Sequence, residues 1–165
     1  THHRSSAASD VYKRQDRFMF NIMVNYPTRN EEVSIVNSTT SNIDIKHKPI
    51  MTKKDIIEFQ SFIPKVPIAE SVVEFAVDLV NSTRPSNKSS SFAKKWIEWG
   101  AGPRASQYLV LGAKAKALLD GKSSPSIKDI KSLALPILRH RIIPNFNADA
   151  EGMKVEDIIN ELLKS

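Results

Sequence analysis

From Thr28 onward the sequence is marked by repeated helix-start signals, and these restrict the fold more than any other feature. Thr28 with Glu31, Thr52 with Asp55 and Ser126 with Asp129 each place a hydroxyl residue ahead of a carboxylate at capping-box spacing. In that arrangement the hydroxyl accepts an otherwise unpaired N–H of the first turn, and the acid returns a bond to the cap. The first signal predicts a helix through about Thr40, and the second a helix ending near Pro64. Val72, Val73, Ala76, Val77 and Val80 recur at helical spacing and predict another, ending near Thr83 ahead of Pro85. Pro103 to Asp120 reads as a long helix with proline at its first position and Gly121 just past its end. The Ser126 signal opens a helix carrying Ile130, Leu133, Ala134 and Leu138, expected to be bent or interrupted at Pro136. A final helix, Val155 to Leu163, has the apolar stripe Val155, Ile158, Ile159 and Leu162.

Against this stands one strand-like run. In Phe18 to Asn25 the residues Phe18, Phe20, Ile22 and Val24 alternate with others, and Tyr26-Pro27 stops the pattern. One strand cannot make a sheet, so its partners are expected in sequence outside this chain. The fold class expected is mainly α, a helical bundle preceded by an orphan strand. Thr40 to Pro49 reads as a polar loop, Ser86 to Ser91 (SNKSSS) as an unstructured surface loop, and Phe92 to Trp99 leads into the turn Gly100-Ala101-Gly102-Pro103.

Composition sets few further limits. A chain of 165 residues, 41% hydrophobic and 25% charged, can form one domain with a sizeable core. The longest apolar stretches, such as Ile68 to Val80, are broken by Glu70, Glu74 and Asp78, so no membrane span is expected. Without cysteine there is neither a disulfide framework nor a thiolate metal site. The histidines His2, His3, His47 and His140 are not at ligand spacing, and no metal site is expected. The string Ser5 to Gln15, SSAASDVYKRQ, can be written codon by codon as a common sequencing-library adapter. Residues 1–15 are therefore expected to be a non-native, disordered leader, with the native chain beginning at Asp16. Without that leader the net charge falls from +6 to +4, which weakens any inference from basicity.

Three stretches could carry chemistry. In Gly100 to Ser106, GAGPRAS, Arg104 falls in the first turn of a helix, where unpaired N–H groups and the helix dipole already favour anions. Gly102, Pro103 and Arg104 are thus candidate phosphate-side residues, although locally an ordinary helix start with an exposed arginine is the plainer reading. Arg17, in Asp16-Arg17-Phe18, stands just before the strand-like run and could protrude toward a neighbouring subunit; locally a solvated charge pair explains it as well. The cluster Leu138 to Arg141, LRHR, reads as a solvated or helix-terminal basic face, and His140 as structural or surface. Trp96 and Trp99 read as core. The sequence contains no G-x-x-x-x-G-K-[ST] loop, no G-x-S-x-G and no H-E-x-x-H.

Taken in order, DRFMFNIMVNYP, VPIAESVVEFAVDLVNSTRP, WGAGPRASQYLVLGAKAKALLDG, IKDIKSLALPILRHRI and AEGMKVEDIINELL resemble the MoxR family of AAA+ ATPases across essentially all of Asp16 to Ser165. Magnesium-chelatase ATPase subunits share the same general plan. The resemblance implies a remnant of the α/β P-loop core at residues 16–40, strand plus helix, and a helical lid domain at residues 41–165. It implies that Arg17 matches the arginine finger that reaches the γ-phosphate in the adjacent subunit, and that Arg104 matches the sensor-2 arginine, acting on nucleotide in its own subunit. Gly102 stands where the family commonly has serine, which leaves the helix cap weaker. For the intact protein the resemblance implies ATP and Mg2+ as cofactors, a ring oligomer, expected to be a hexamer, and a cytoplasmic, chaperone-like ATPase acting on proteins with von Willebrand factor type A domains. The chain alone, lacking the P-loop, is expected to bind no cofactor and to be inactive. A self-standing basic helical module that binds nucleic acid is the alternative, motivated by charge and the LRHR cluster; the reduced charge and the orphan strand weigh against it.

Overall fold

The computed structural model describes residues 14–41, 48–86 and 91–164. Its helices are α1 (Arg29–Thr40), α2 (Lys53–Phe62, continued by a 3-10 turn at Ile63–Lys65), α3 (Glu70–Ser82), α4 (Ser91–Trp96), α5 (Pro103–Leu119), α6 (Ile127–Leu138), α7 (Phe146–Glu151) and α8 (Val155–Leu162). The three capping boxes form at Thr28, Thr52 and Ser126 as their spacing predicts. Gly121, at φ +69°, takes the left-handed conformation that ends α5, where a side chain would be strained.

The core lies between α3, α5, α6 and α8. α5 turns the small residues Ala105, Gly112, Ala113 and Ala117 inward, which lets α3 and α6 approach it closely around fully buried Leu109. α6 contributes Ile130, Ala134, Ile137 and Leu138, and α8 closes the bundle with Ile158, Ile159 and Leu162.

Four features differ from the sequence expectation. Phe18–Asn25 forms no strand. Its alternation is real, but a strand needs a neighbour to share ladder bonds, and none of the described residues provides one. Among the described residues one backbone–backbone bond ties the run to the bundle, Asn21 N–H to the Pro136 carbonyl at 2.8 Å, and Ile22 and Val24 are 76% and 87% exposed. Secondly, a small antiparallel pair joins β1 (Ile97–Trp99) to β2 (Ile143–Pro144), with Ile97 opposite Pro144 and Trp99 opposite Ile143. Segments this short carry no readable period. Thirdly, of the bend or interruption expected at Pro136, the interruption does not occur, and α6 runs on to Leu138. Proline inside a helix costs about 3 kcal/mol, and burial of Ile137 and Leu138 returns about 1.5–3 kcal/mol for each. Fourthly, α7 is an unforeseen short helix, capped by Asn145, which accepts from Ala148 N–H at 3.1 Å, and stopped by left-handed Gly152.

Trp96 is buried as core, but Trp99 is 69% exposed, because the two span a helix-to-strand junction rather than one helix face. α1 buries none of its residues, and Val33, Ile35 and Val36 are each about half exposed. Residues 1–13, most of the Thr40 to Pro49 loop and residues 87–90 of the SNKSSS loop lie outside the described residues. Ser91, read as the end of that loop, begins α4.

Candidate functional site

The turn before α5 is fixed from the end of α3. Thr83, fully buried, donates its hydroxyl to the Val80 carbonyl at 2.7 Å and accepts the Ala101 N–H at 2.9 Å. Arg84 donates its Nε to the Ala101 carbonyl at 2.8 Å. The backbones come so close here that a Cβ on Gly100 would stand 2.3 Å from the Thr83 carbonyl oxygen, so only glycine fits. Gly102 is the N-cap residue of α5 in an extended conformation (φ −82°, ψ 175°), without a side-chain cap. Pro103 opens the helix, and Arg104 stands in its first turn, where the Ala105 N–H bonds back to the Gly102 carbonyl at 3.0 Å.

Arg104, Tyr108 and Gly112 are four residues apart on α5 and therefore share one face. The Asp16–Phe20 segment runs along that face in the helix direction. Arg104 Nη1 pairs with Asp16 Oδ2 at 2.7 Å. The Tyr108 hydroxyl donates to the Arg17 carbonyl at 2.9 Å. The Met19 and Phe20 side chains reach the space beside Gly112, where a Cβ would meet Met19 Cε at 3.1 Å.

The other wall is the end of α6. Arg141, its side chain 1% exposed, donates Nε to Asp16 Oδ1 at 3.1 Å and Nη2 to the carbonyls of Asp16 at 2.8 Å and Phe18 at 2.6 Å. Its Nη1 faces the Met19 carbonyl at 3.4 Å and also bonds the Ile137 carbonyl. The guanidinium packs on the Tyr108 ring, 5.1 Å from the centroid. Burial lowers the Arg141 pKa while Asp16 opposes that shift, and an arginine remains charged throughout. His140 Nε2 lies 3.0 Å from the Phe18 carbonyl, so that nitrogen carries the proton, and the buried Nδ1 has no partner among the described residues. Burial, then the charge of Arg141, holds the His140 pKa below its ordinary value.

The structure thus brings Arg104 and the Asp16-Arg17 segment together although they are far apart in sequence. The carboxylate between them is Asp16, and Arg141 and Tyr108 complete the grip; the sequence reading assigned none of the three a role here. The i, i+4, i+8 stripe Arg104, Tyr108, Gly112 was the available signal. The guanidinium of Arg17 is exposed and, among the described residues, makes no ion pair. The LRHR cluster is helix-terminal, with Arg139 the C-cap of α6, but it is buried or half-buried rather than solvated. Arg141 is buried on Asp16, and Arg139, 13% exposed at its side chain, faces Glu156 at 3.7 Å. Each charge already has an internal partner, which removes the main support for a nucleic-acid surface here. Among the described residues no group of three or more His, Asp or Glu is arranged to hold a metal ion, and no helix is long and apolar enough to cross a membrane.

Residues 90–162 match the family described as the AAA lid domain. The chain is 29% identical over 153 residues to the chaperone MoxR1 of Mycobacterium tuberculosis, covering 92% of this chain and 40% of that protein. It is 30% identical over 151 residues to the uncharacterised protein YeaC of Bacillus subtilis, covering 91% and 45%. A crystal structure assigned as an ATPase of Cytophaga hutchinsonii superposes with a TM-score of 0.82 at 33% identity, covering 93% of this chain and 47% of that one. The chain spans less than half the length of each of these relatives.

Proposed function

Because this chain belongs with the MoxR-type AAA+ ATPases and carries their lid, we propose that it supplies two guanidinium groups to ATP hydrolysis in the intact protein. Arg104 is the lid arginine that faces a phosphate bound in its own subunit, the sensor-2 role, with Gly102 and Pro103 shaping the helix end beside it. Arg17 is the arginine finger that reaches nucleotide in the adjacent subunit of a ring, here taken as a hexamer. The observation that carries this reading is that the lid holds the backbone on both sides of Arg17 and leaves its guanidinium exposed. A side chain that must act in trans needs a fixed base and a free end.

Phosphoryl transfer gathers negative charge on the transferred group, and arginines preorganised there stabilise it without reorganisation at the moment of reaction. ATP supplies the phosphoryl group, and Mg2+ neutralises part of its charge when bound. This chain's described residues offer the nucleotide cationic donors and a helix end but no carboxylate cluster for the metal, whose ligands belong to the α/β core. The uncovered apolar residues of α1 and of Phe18–Val24 suit packing against such a core, with residues 16–40 its remnant and residues 41–165 the lid.

The whole protein, on this reading, is a cytoplasmic, chaperone-like ATPase that remodels partner proteins, those with von Willebrand factor type A domains being the class proposed. In the full-length protein Arg17→Ala is expected to lower ATP turnover by about 10³-fold or more, and Arg104→Ala to lower turnover and weaken nucleotide binding, with assembly intact in both. Turnover at the wild-type rate in either variant removes that residue from the mechanism. The chain alone is expected to hydrolyse no ATP.

A further inference from the structure

We propose that Tyr108 is a positioning residue for Arg17: its hydroxyl bond to the Arg17 carbonyl sets the direction in which the finger leaves the lid. This rests on the reading of Arg17 as the finger, and it holds whichever subunit's nucleotide Arg104 serves.

The aim of a side chain follows from the two peptide planes that meet at its Cα, because each plane is rigid and only φ and ψ are soft. At Arg17 each plane has its own anchor on the lid. The plane before it carries the Asp16 carbonyl, which accepts from Arg141 Nη2 at 2.8 Å. The plane after it carries the Arg17 carbonyl, which accepts from the Tyr108 hydroxyl at 2.9 Å. The Phe18 N–H on that second plane bonds the Gln15 carbonyl at 3.0 Å, a bond within the segment that shapes its turn without tying it to the lid. Arg141 also holds the Phe18 carbonyl, at 2.6 Å, so without the Tyr108 hydroxyl the segment stays docked on both sides and the plane between is released. Tyr108 is well placed to hold it. The residue is half-buried on α5 beside fully buried Leu109, and its ring lies 5.1 Å under the Arg141 guanidinium. The Arg17 side chain is exposed, so the backbone beneath it is what aims it. A neutral hydrogen bond of this kind favours one orientation over its alternatives by about two- to ten-fold.

The test uses the full-length protein, with steady-state ATP turnover and the affinity for a fluorescently labelled ADP measured side by side. Tyr108→Phe gives up the hydroxyl and keeps the ring against Arg141, so the packing of the lid is retained. A finger acts on charge that develops in the transition state, so kcat is expected to fall about two- to ten-fold while ADP affinity stays as in wild type. In an Arg17→Ala background the same substitution is expected to lower turnover no further. The base of the finger is read at position 17 itself. A nitroxide attached to Arg17→Cys, in a protein with no other cysteine, is expected to gain a more mobile component in its spin-resonance spectrum when Tyr108→Phe is added. A kcat equal to wild type, a loss that persists without Arg17, ADP affinity that falls in step with kcat, or a nitroxide spectrum that does not change overturns the proposal. If Arg17→Ala alone leaves turnover unchanged, the reading of Arg17 has failed and this role for Tyr108 falls with it. A normal kcat in Tyr108→Phe beside a depressed one in Arg17→Ala strikes Tyr108 alone.

Discussion

Replacing Arg141 by methionine should do more harm than replacing Arg104 by alanine, although only Arg104 is proposed to face the nucleotide. The Arg141 side chain is 1% exposed and bonds Asp16 Oδ1 together with the carbonyls of Asp16, Phe18 and Ile137. Hydrogen bonds to a charged group are each worth about 1.5–3 kcal/mol net. They do not add here, because once Arg141 is gone the acceptors on the Asp16–Met19 segment regain water. Methionine refills most of the volume, which limits any cavity penalty. A loss of about 2–4 kcal/mol follows, one or two charged bonds' worth. Arg104→Ala breaks one pair in which both side chains are over a third exposed, for about 0.2–1 kcal/mol. With a urea m-value of about 2 kcal/mol per molar for a domain of this size, the unfolding midpoint should fall by about 1–2 M for Arg141→Met and by less than about 0.5 M for Arg104→Ala. Circular dichroism of the chain in urea reads both. Hydrogen exchange at the Asn21 amide, bonded to Pro136, should accelerate in Arg141→Met. Equal midpoints for the two variants, or an Asn21 amide as protected as in wild type, would refute the placing of Arg141 as the anchor of this segment.

Gly100→Ala puts a Cβ 2.3 Å from the Thr83 carbonyl oxygen, so the α3–α5 turn must shift at a cost of about 1–3 kcal/mol, read as a lower urea midpoint. Gly102→Ser meets no atom within 4 Å at a φ of −82°, so it should gain a few tenths of a kcal/mol from the restored cap, seen as a small rise in melting temperature. Burial pushes the Asp129 pKa up, but hydrogen bonds from Lys122 and Ser126 overcome this and bring it down to about 2. Because that folded-state value lies below the ordinary 3.8, the carboxylate stabilises the fold above about pH 4 and the contribution is lost as pH falls toward 2. It amounts to on the order of 2 kcal/mol. Asp129→Asn should flatten the stability profile between pH 4 and 2, and an unchanged profile would exclude this role.

What the sequence made legible depended on whether the deciding interaction was local. The capping boxes at Thr28, Thr52 and Ser126, the proline start of α5 and the glycine stop at Gly121 are written within a few residues of where they act, and all form. Phe18–Asn25 shows the limit: its alternation encodes a preference, and a strand also needs a partner that the described chain does not hold. β1 and β2 are too short to leave a period, and α7, six residues long, was marked only by Asn145 and Gly152. At the site, Arg104 could be singled out because a helix start is a local feature. The partner of Asp16 could not, since Asp16–Arg104 and Asp16–Arg141 join positions separated by 88 and 125 residues. The basic run LRHR misleads for the same reason. Its charges look free along the chain but are paired across the fold, Arg141 with the Asp16 carboxylate it shares with Arg104, and Arg139 with Glu156.

The central claim, that Arg104 acts within its own subunit and Arg17 on the next, is tested most directly by mixing subunits of the full-length protein. Rings made only of Arg17→Ala subunits, or only of Arg104→Ala subunits, contain no complete site. In a random equal mixture of the two, a head-to-tail ring places an intact Arg104 beside a neighbour's intact Arg17 at about one site in four. Turnover recovering to about a quarter of the wild-type rate on mixing is the predicted result. A mixture no more active than its inactive parents would contradict it, because two arginines that act in the same subunit cannot be restored by a neighbour.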